Sequence, residues 1–250
     1  MQTGELLEVA LKAGEILLTS GAEIYRVEDT IKRICLGYNA ECESFVLPTG
    51  IFISVRSESD GGSQTAFKRI RHRSVDLYRV DSVNSFSRSL SKKLPDHREA
   101  MEILEGIENR KRHGYPVRLL TAGAASFVFT LLFKGTAGEG LAAVVTGMLI
   151  YTVREELSRT GFFQFFELFI AGVLAGTASL LAVRFFPEFN VYKIIIGSIM
   201  LFLPGVAITN SIKDALYDDL VASMARLGEA VFAAVAVGAG VGLSLAIGRI

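Results

Sequence analysis

Five long apolar runs follow residue 115, separated by short charged or glycine-rich loops, and no ordinary water-soluble fold accommodates them. They are Leu119–Phe133, Leu141–Val153, Glu167–Phe186, Val191–Ile208 and Glu229–Gly248. Each is hydrophobic all round and leaves no polar face for water, whereas the hydrocarbon core of a bilayer takes about 20 residues of helix. The first two runs are short and must recruit flanking residues such as Pro116–Arg118 and Gly138–Gly140, or else lie behind the others with little tilt. Spans are therefore expected near 117–133, 138–154, 165–186, 191–209 and 229–248.

Charge follows the same division. Residues 1–118 carry 18 of the 26 Lys and Arg and 17 of the 26 Asp and Glu. The zero formal charge and the mean hydropathy of +0.41 thus average over two solvents. Acids balance bases in each half, which argues against a nucleic-acid partner. Basic residues near span ends favour the cytoplasmic side. Arg110, Lys111, Arg112, Arg118, Arg154, Arg159, Lys213 and Arg226 fall on one side of a five-span layout, and Lys134, Arg184, Lys193 and Arg249 on the other. A multi-pass protein of the cell membrane results, with its N-terminus cytoplasmic and its C-terminus external. Gly172-x-x-x-Gly176 and Gly238-x-x-x-Gly242 are spacings that let helix backbones approach, either within the bundle or at a homo-oligomer seam.

The first 115 residues read as a cytoplasmic α+β domain, and residues 116–250 as an α-helical transmembrane bundle. Leu6, Val9, Ala10, Ala13, Ile16 and Leu17 recur at helical spacing, and Met1–Glu15 looks like an amphipathic helix rather than a cleavable leader. Ser20, with Glu23 three residues on, reads as the capping box of a second helix carrying Ile24, Val27, Ile31 and Ile34. A strand is expected after Pro48-Thr49-Gly50 and a short one before it. Ser57–Ser63 reads as a turn, and Thr65–Arg71 and Val75–Val80 as further strands. Val83, Phe86, Leu90 and Leu94 restart helical spacing. Pro95 opens a last helix with Ala100, Met101, Ile103, Leu104 and Ile107 inward.

No Walker lysine loop, dinucleotide fingerprint, zinc-protease motif or nucleophile elbow is present. Cys35 and Cys42 are too few and too far apart for a zinc site and read as reduced structural thiols. His72, His97 and His113 stand isolated among charges. No catalytic residue, metal or cofactor is expected, and the chain does not read as an enzyme.

The stretch with most chemical content starts at Pro204-Gly205. Proline removes a backbone donor and glycine loosens the helix further, and in a bilayer such a break survives only where protein or water satisfies the freed groups. Transporters use broken helices to present helix ends to substrate, although a simple kink has the same residues. Asn210, Asp214 and Asp218 then recur at i, i+4 and i+8, with Arg226 further on. Two readings stand here. The stripe lines a substrate or ion pathway, in which a carboxylate neutralises an ammonium or carries a proton, or it is the solvated acidic face of a surface helix.

Three separated segments resemble a known family. Ser20-Gly21-Ala22-Glu23-Ile24-Tyr25-Arg26-Val27-Glu28-Asp29 is very similar to the N-terminal signature of the threonine/serine exporter family. Pro48-Thr49-Gly50-Ile51-Phe52 resembles its next motif. Pro204-Gly205, Thr209-Asn210, Asp214 and Ala225-Arg226-Leu227-Gly228-Glu229-Ala230 resemble its membrane motif. The resemblance implies a secondary exporter of small polar metabolites, threonine and serine in some members and succinate-like dicarboxylates in others. It also implies a functional cytoplasmic surface at Ser20, Gly21, Glu23, Arg26, Glu28, Pro48, Thr49 and Gly50. Long members carry a second membrane module, so this chain resembles the split half that works with a separate small polytopic membrane subunit. From physics alone, Glu23, Arg26 and Glu28 serve equally as structural ion pairs, and a membrane-anchored sensor or scaffold is the competing function.

Overall fold

The computed structural model describes residues 1–56, 62–111 and 113–248. Most of the expected Ser57–Ser63 turn, and Arg112 and Arg249 of the charge tally, lie outside these residues. Two compact units result: Met1–Lys111 with Val206–Leu227, and Arg112–Gly205 with Gly228–Ile250. A single boundary near residue 115 does not include this return of the chain to its first unit.

The first unit opens with α1 (Thr3–Thr19) and α2 (Ile24–Gly37), then β1 (Glu41–Leu47), β2 (Gly50–Arg56) and β3 (Ser63–Arg69) in an antiparallel meander. Leu47 pairs with Gly50, so Pro48 and Thr49 are a two-residue hairpin turn. The strand before that turn is seven residues long rather than short. Period-two alternation turns Val46, Ile51, Ile53 and Val55 into the core, against Leu6, Ala10, Ala13, Ile16 and Leu17 of α1 and Val27, Ile31 and Ile34 of α2. Gly14 lies where these layers meet closely: a Cβ there would stand 3.0 Å from Ile31 Cδ1 and 3.2 Å from Ile51 Cδ1, so both side-chain ends would have to shift by a few tenths of an ångström.

Three local expectations fail. Val75–Val80 is not a strand: α3 (Leu77–Ser89) starts there, and Asp76 caps it by accepting from the Arg79 N–H. The cap and the buried Val80, Val83 and Phe86 at helical spacing outweigh the β-branched composition. Ser20 does not cap α2 either. It ends α1, and Glu23 occupies the N-cap position. In α4 (His97–Glu108), capped by Asp96, Ala100 and Leu104 are buried while Ile103 is exposed.

The second unit holds α5 (Tyr115–Leu132), α6 (Ala137–Arg159), α7 (Gln164–Phe185), α8 (Val191–Ile199) and most of α10 (Leu220–Ile247). Between α8 and α10 the chain passes through a 3-10 turn (Met200–Phe202), the break at Leu203-Pro204, and α9 (Gly205–Leu216). Small residues, Ala122, Ala143, Gly147, Ala171 and Ala175, are buried together with Ile150, Leu168 and Phe202, while many large apolar side chains cover the outside, Leu132, Leu141, Val145, Phe185 and Phe232 among them. That is the reverse of a water-soluble bundle and suits lipid. A Cβ on Gly172 would fall 2.3 Å from the Val237 oxygen, and one on Gly240 would fall 2.2 Å from the Phe169 oxygen. The close α7–α10 approach thus runs through Gly172, Gly176 and Gly240. Gly238 and Gly242 meet nothing within 4 Å, because Val237, Gly240, Val241 and Ser244 form the face toward α7.

Among the described residues three helices are long and apolar enough to cross a membrane: α5, α7 and α10. The broken pair Val191–Phe202 and Gly205–Leu216 raises the number to four. The remaining expected span corresponds to α6, whose charges are confined to its ends, at Glu139 and at Arg154, Glu155, Glu156 and Arg159.

Candidate functional site

The site is built inside the first unit, from the turn between α1 and α2 and from the residues of α9 and α10 that return to it. α1 ends in a Schellman motif, with Gly21 N–H bonded to Leu18 C=O and Ala22 N–H to Leu17 C=O. The motif needs a left-handed residue, and Gly21 supplies φ +83°. The chain therefore reverses within Ser20–Glu23 and presents the carbonyls of Gly21 and Ala22, then the free first N–H of α2.

Those three backbone groups are taken by side chains about 200 positions downstream. Asn210 Nδ2 donates to the Gly21 carbonyl at 2.8 Å. Arg226 Nη2 donates to the Ala22 carbonyl at 2.8 Å. Asp214 Oδ1 accepts the Ile24 N–H at 3.1 Å, while its Oδ2 lies 3.1 Å from Arg226 Nε. The first N–H groups of a helix have no partner within it, and a carboxylate is favoured at that positive end. Asp214 thus caps α2 from another part of the chain. Glu23 makes no side-chain cap of its own, because its carboxylate is turned to Lys213 Nζ at 2.8 Å and Arg26 Nε at 2.9 Å. Burial raises the affinity of Glu23 for a proton, but the Lys213 hydrogen bond, a backbone N–H and the Arg26 charge together hold it below the ordinary glutamate value.

The stripe Asn210–Asp214 faces inward, and the surface-helix reading fails on burial: Asp214 is fully buried while Leu216 is 78% exposed. Asp218 does not continue the stripe. Helix α9 stops at Leu216 in a second Schellman motif, with Asp219 N–H to Asp214 C=O and Asp218 N–H to Ala215 C=O, and Asp218 at φ +66° takes the left-handed position and is exposed.

Other expected residues stand apart from this clamp. Glu28 accepts the Val46 N–H at 3.0 Å and so ties α2 to β1; burial, reinforced by the Asp219 charge, raises its carboxyl above the ordinary range. Pro48 and Thr49 make the hairpin turn, and Gly50 lets the Phe67 ring lie over it, 2.9 Å from where a Cβ would be. Pro204 and Gly205 mark the break that starts α9. Ser20 is buried, with no hydrogen bond to its Oγ among the described residues. Sequence reasoning missed three contributors: Ser211, whose Oγ donates to the Ser223 carbonyl at 2.9 Å and joins α9 to α10, Ser223 itself, and Tyr25, stacked on Tyr217 at 4.0 Å. Single serines and tyrosines carry no periodic signal that would have marked them.

The threonine/serine exporter (ThrE) family model matches residues 8–248, nearly the whole chain and all of these motifs. The chain belongs to the threonine/serine exporter family. Among curated proteins it is similar to a Mycobacterium tuberculosis (strain ATCC 25618 / H37Rv) protein named "Probable threonine/serine exporter", 26% identical over 98% of this chain and 46% of the relative. It is also similar to the threonine/serine exporter of Corynebacterium glutamicum, 24% identical over 100% of this chain and 52% of the relative. The chain thus spans about half the length of the threonine/serine exporters it matches. No solved structure matches it. The threonine/serine exporter family comprises transporters, not enzymes, and the apolar helices are those of a multi-pass membrane protein.

Proposed function

We propose that this chain is one half of a secondary exporter of small polar metabolites, above all threonine- and serine-like amino acids. It acts with a second small polytopic membrane subunit. Its five spans are α5, α6, α7, the broken α8–α9 pair and α10, with the N-terminus cytoplasmic and the C-terminus external. The observation carrying the substrate assignment is the pairing of Asp214 with Arg226. The carboxylate holds an N–H and the guanidinium holds a carbonyl oxygen. The same two groups complement the ammonium and carboxylate of a free α-amino acid once the Gly21–Ile24 backbone moves aside. A dicarboxylate fits this setting less well, because Asp214 and Glu23 would repel it. Ionisable groups beside a broken membrane helix are expensive and mark pathways.

Counterflow of labelled threonine into proteoliposomes, with and without the partner subunit, tests the reading. Asp214→Asn should abolish counterflow while insertion stays normal. Loss of a charge-assisted contact costs about 1.5–3 kcal/mol, on the order of ten- to hundredfold in substrate affinity. Asp219→Asn, in the turn beyond the clamp, should transport normally. Normal transport by both variants would take Asp214 off the pathway.

A further inference from the structure

Helix α2 and strand β1 meet at the chain's two cysteines, both free thiols. α2 ends in a Schellman motif, with Asn39 N–H bonded to Leu36 C=O and Ala40 N–H to Cys35 C=O, and Asn39 at φ +55° takes the left-handed position. The chain therefore doubles back, and β1 starts beside the last turn of α2. Alternation along β1 puts Cys42 on the same side as the buried Val46, the side packed on the core. Cys35 is fully buried in that core, one helical turn beyond Ile31. The two thiols share a hydrogen bond, donated by Cys35 to the Cys42 sulfur.

Their surroundings differ. Cys35 is closed to solvent, whereas Cys42 is half-buried and lines an open cleft of about 570 Å³. Lys32 and Arg56 line the same cleft and are matched there by Glu41 and Glu43, a balance that suits a small uncharged reagent. The shared hydrogen bond, and then burial, push the Cys35 thiol well above the ordinary range. The same bond lowers Cys42 against the opposing effect of burial, with help from the Lys32 ammonium. The proton thus rests on Cys35, and the sulfur that reaches the cleft is the one closer to a thiolate, the form that reacts. A packing role asks for neither the cleft nor the cation.

We propose that Cys42 and Cys35 are a redox-active pair that a small hydroperoxide converts reversibly to a disulfide, with Cys42 as the attacking sulfur and Cys35 as the resolving one. The Cys42 sulfur attacks one peroxide oxygen. The S–O bond forms as the O–O bond breaks, and the departing hydroxide takes up a proton and leaves as water. The Cys35 sulfur then attacks the Cys42 sulfur. The S–S bond forms as the S–O bond breaks, and the hydroxyl leaves with the Cys35 proton as a second water. Two electrons pass from the thiols to the peroxide. A small dithiol returns the pair to thiols by exchange. The buried, protonated Cys35 is kept from the oxidant and is already in contact with the sulfur it must attack.

Hydrogen peroxide added to the full chain in detergent tests this, with the reaction stopped by N-ethylmaleimide and the products read by intact and peptide mass. The folded chain should form the Cys35–Cys42 disulfide several-fold faster than the same chain unfolded in guanidinium, and dithiothreitol should restore both thiols. Cys35→Ser should stop at a Cys42 sulfenic acid that dimedone captures, whereas Cys42→Ser should leave Cys35 unmodified. A folded rate no higher than the unfolded one would show that the fold does not activate Cys42 and would overturn the inference. Equal dimedone capture at the remaining cysteine of each variant would overturn it as well, because the two sulfurs would then have no separate roles. The folded-against-unfolded comparison uses the native chain, so it decides the matter even where a variant fails to fold.

Discussion

The Asp214 carboxylate meets the Arg226 guanidinium at 3.1 Å, with the two side chains 0% and 5% exposed. Neither charge reaches solvent, and each is completed by one backbone group of the Gly21–Ile24 turn. Desolvating two such charges is costly, and their mutual attraction offsets that cost only while both are present. Removing one partner should therefore cost about 3–5 kcal/mol. The double variant Asp214→Leu/Arg226→Met should cost much less than the two single changes added together. Equilibrium unfolding of the full chain in detergent measures the cycle, and additive losses would show that the two charges act independently.

Gly21 is the second test of the same clamp. Its φ of +83° costs any other L-residue roughly 1–2 kcal/mol. Gly21→Ala should destabilise by that amount and weaken the bonds from Asn210 and Arg226 to the turn. Amide exchange at Ile24 reads this directly, since its N–H is protected by Asp214. Gly106→Ala is the comparison: a Cβ there meets nothing within 4 Å, and inside α4 the change should stabilise by up to about 1 kcal/mol instead.

Glu23 and Glu28 should respond to pH with opposite signs. A carboxylate held below its ordinary pKa stabilises the fold above that value and loses the contribution as pH falls through its lowered pKa. Glu23 is such a group. The advantage of the native chain over Glu23→Gln in melting temperature should be present above pH 4.5, the ordinary glutamate value, and vanish on further acidification. Glu28 is raised instead, so its contribution is present below the ordinary value and is lost as pH rises through the raised one. Glu28→Gln should match the native chain in acid and gain on it toward neutrality.

Topology gives the fourth prediction. If α6 crosses the membrane, single cysteines at Lys134 and Thr160, which flank it, should label from opposite sides. Ser91→Cys should label with Thr160, and Glu188→Cys with Lys134. Labelling of Lys134 and Thr160 from one side would make α6 a surface helix and reverse the expected side of everything after it.

The membrane character, the α1 and α2 faces and the break between strands at Pro48-Thr49 were legible in the sequence because each depends on neighbours within a few positions. Hydrophobicity sums along a run, a helical face repeats every three or four residues, and a proline marks its own turn. Val75–Val80 was misread because β-branched composition is a weak prior that the Asp76 cap and the buried Val80–Val83–Phe86 spacing override. The Asp214–Arg226 clamp lay beyond such reasoning: the spacing of Asn210 and Asp214 is the same for a solvated face and a buried one. Which way that face turns is decided by the Ile24 N–H and the Gly21 and Ala22 carbonyls, groups that every residue owns and that become partners only when the chain returns from 190 positions away. The sequence by itself determined where this protein is apolar and where its helices break. Only the tertiary structure decided that its most polar stripe is buried and its apolar one exposed, because burial depends on what the rest of the chain brings alongside.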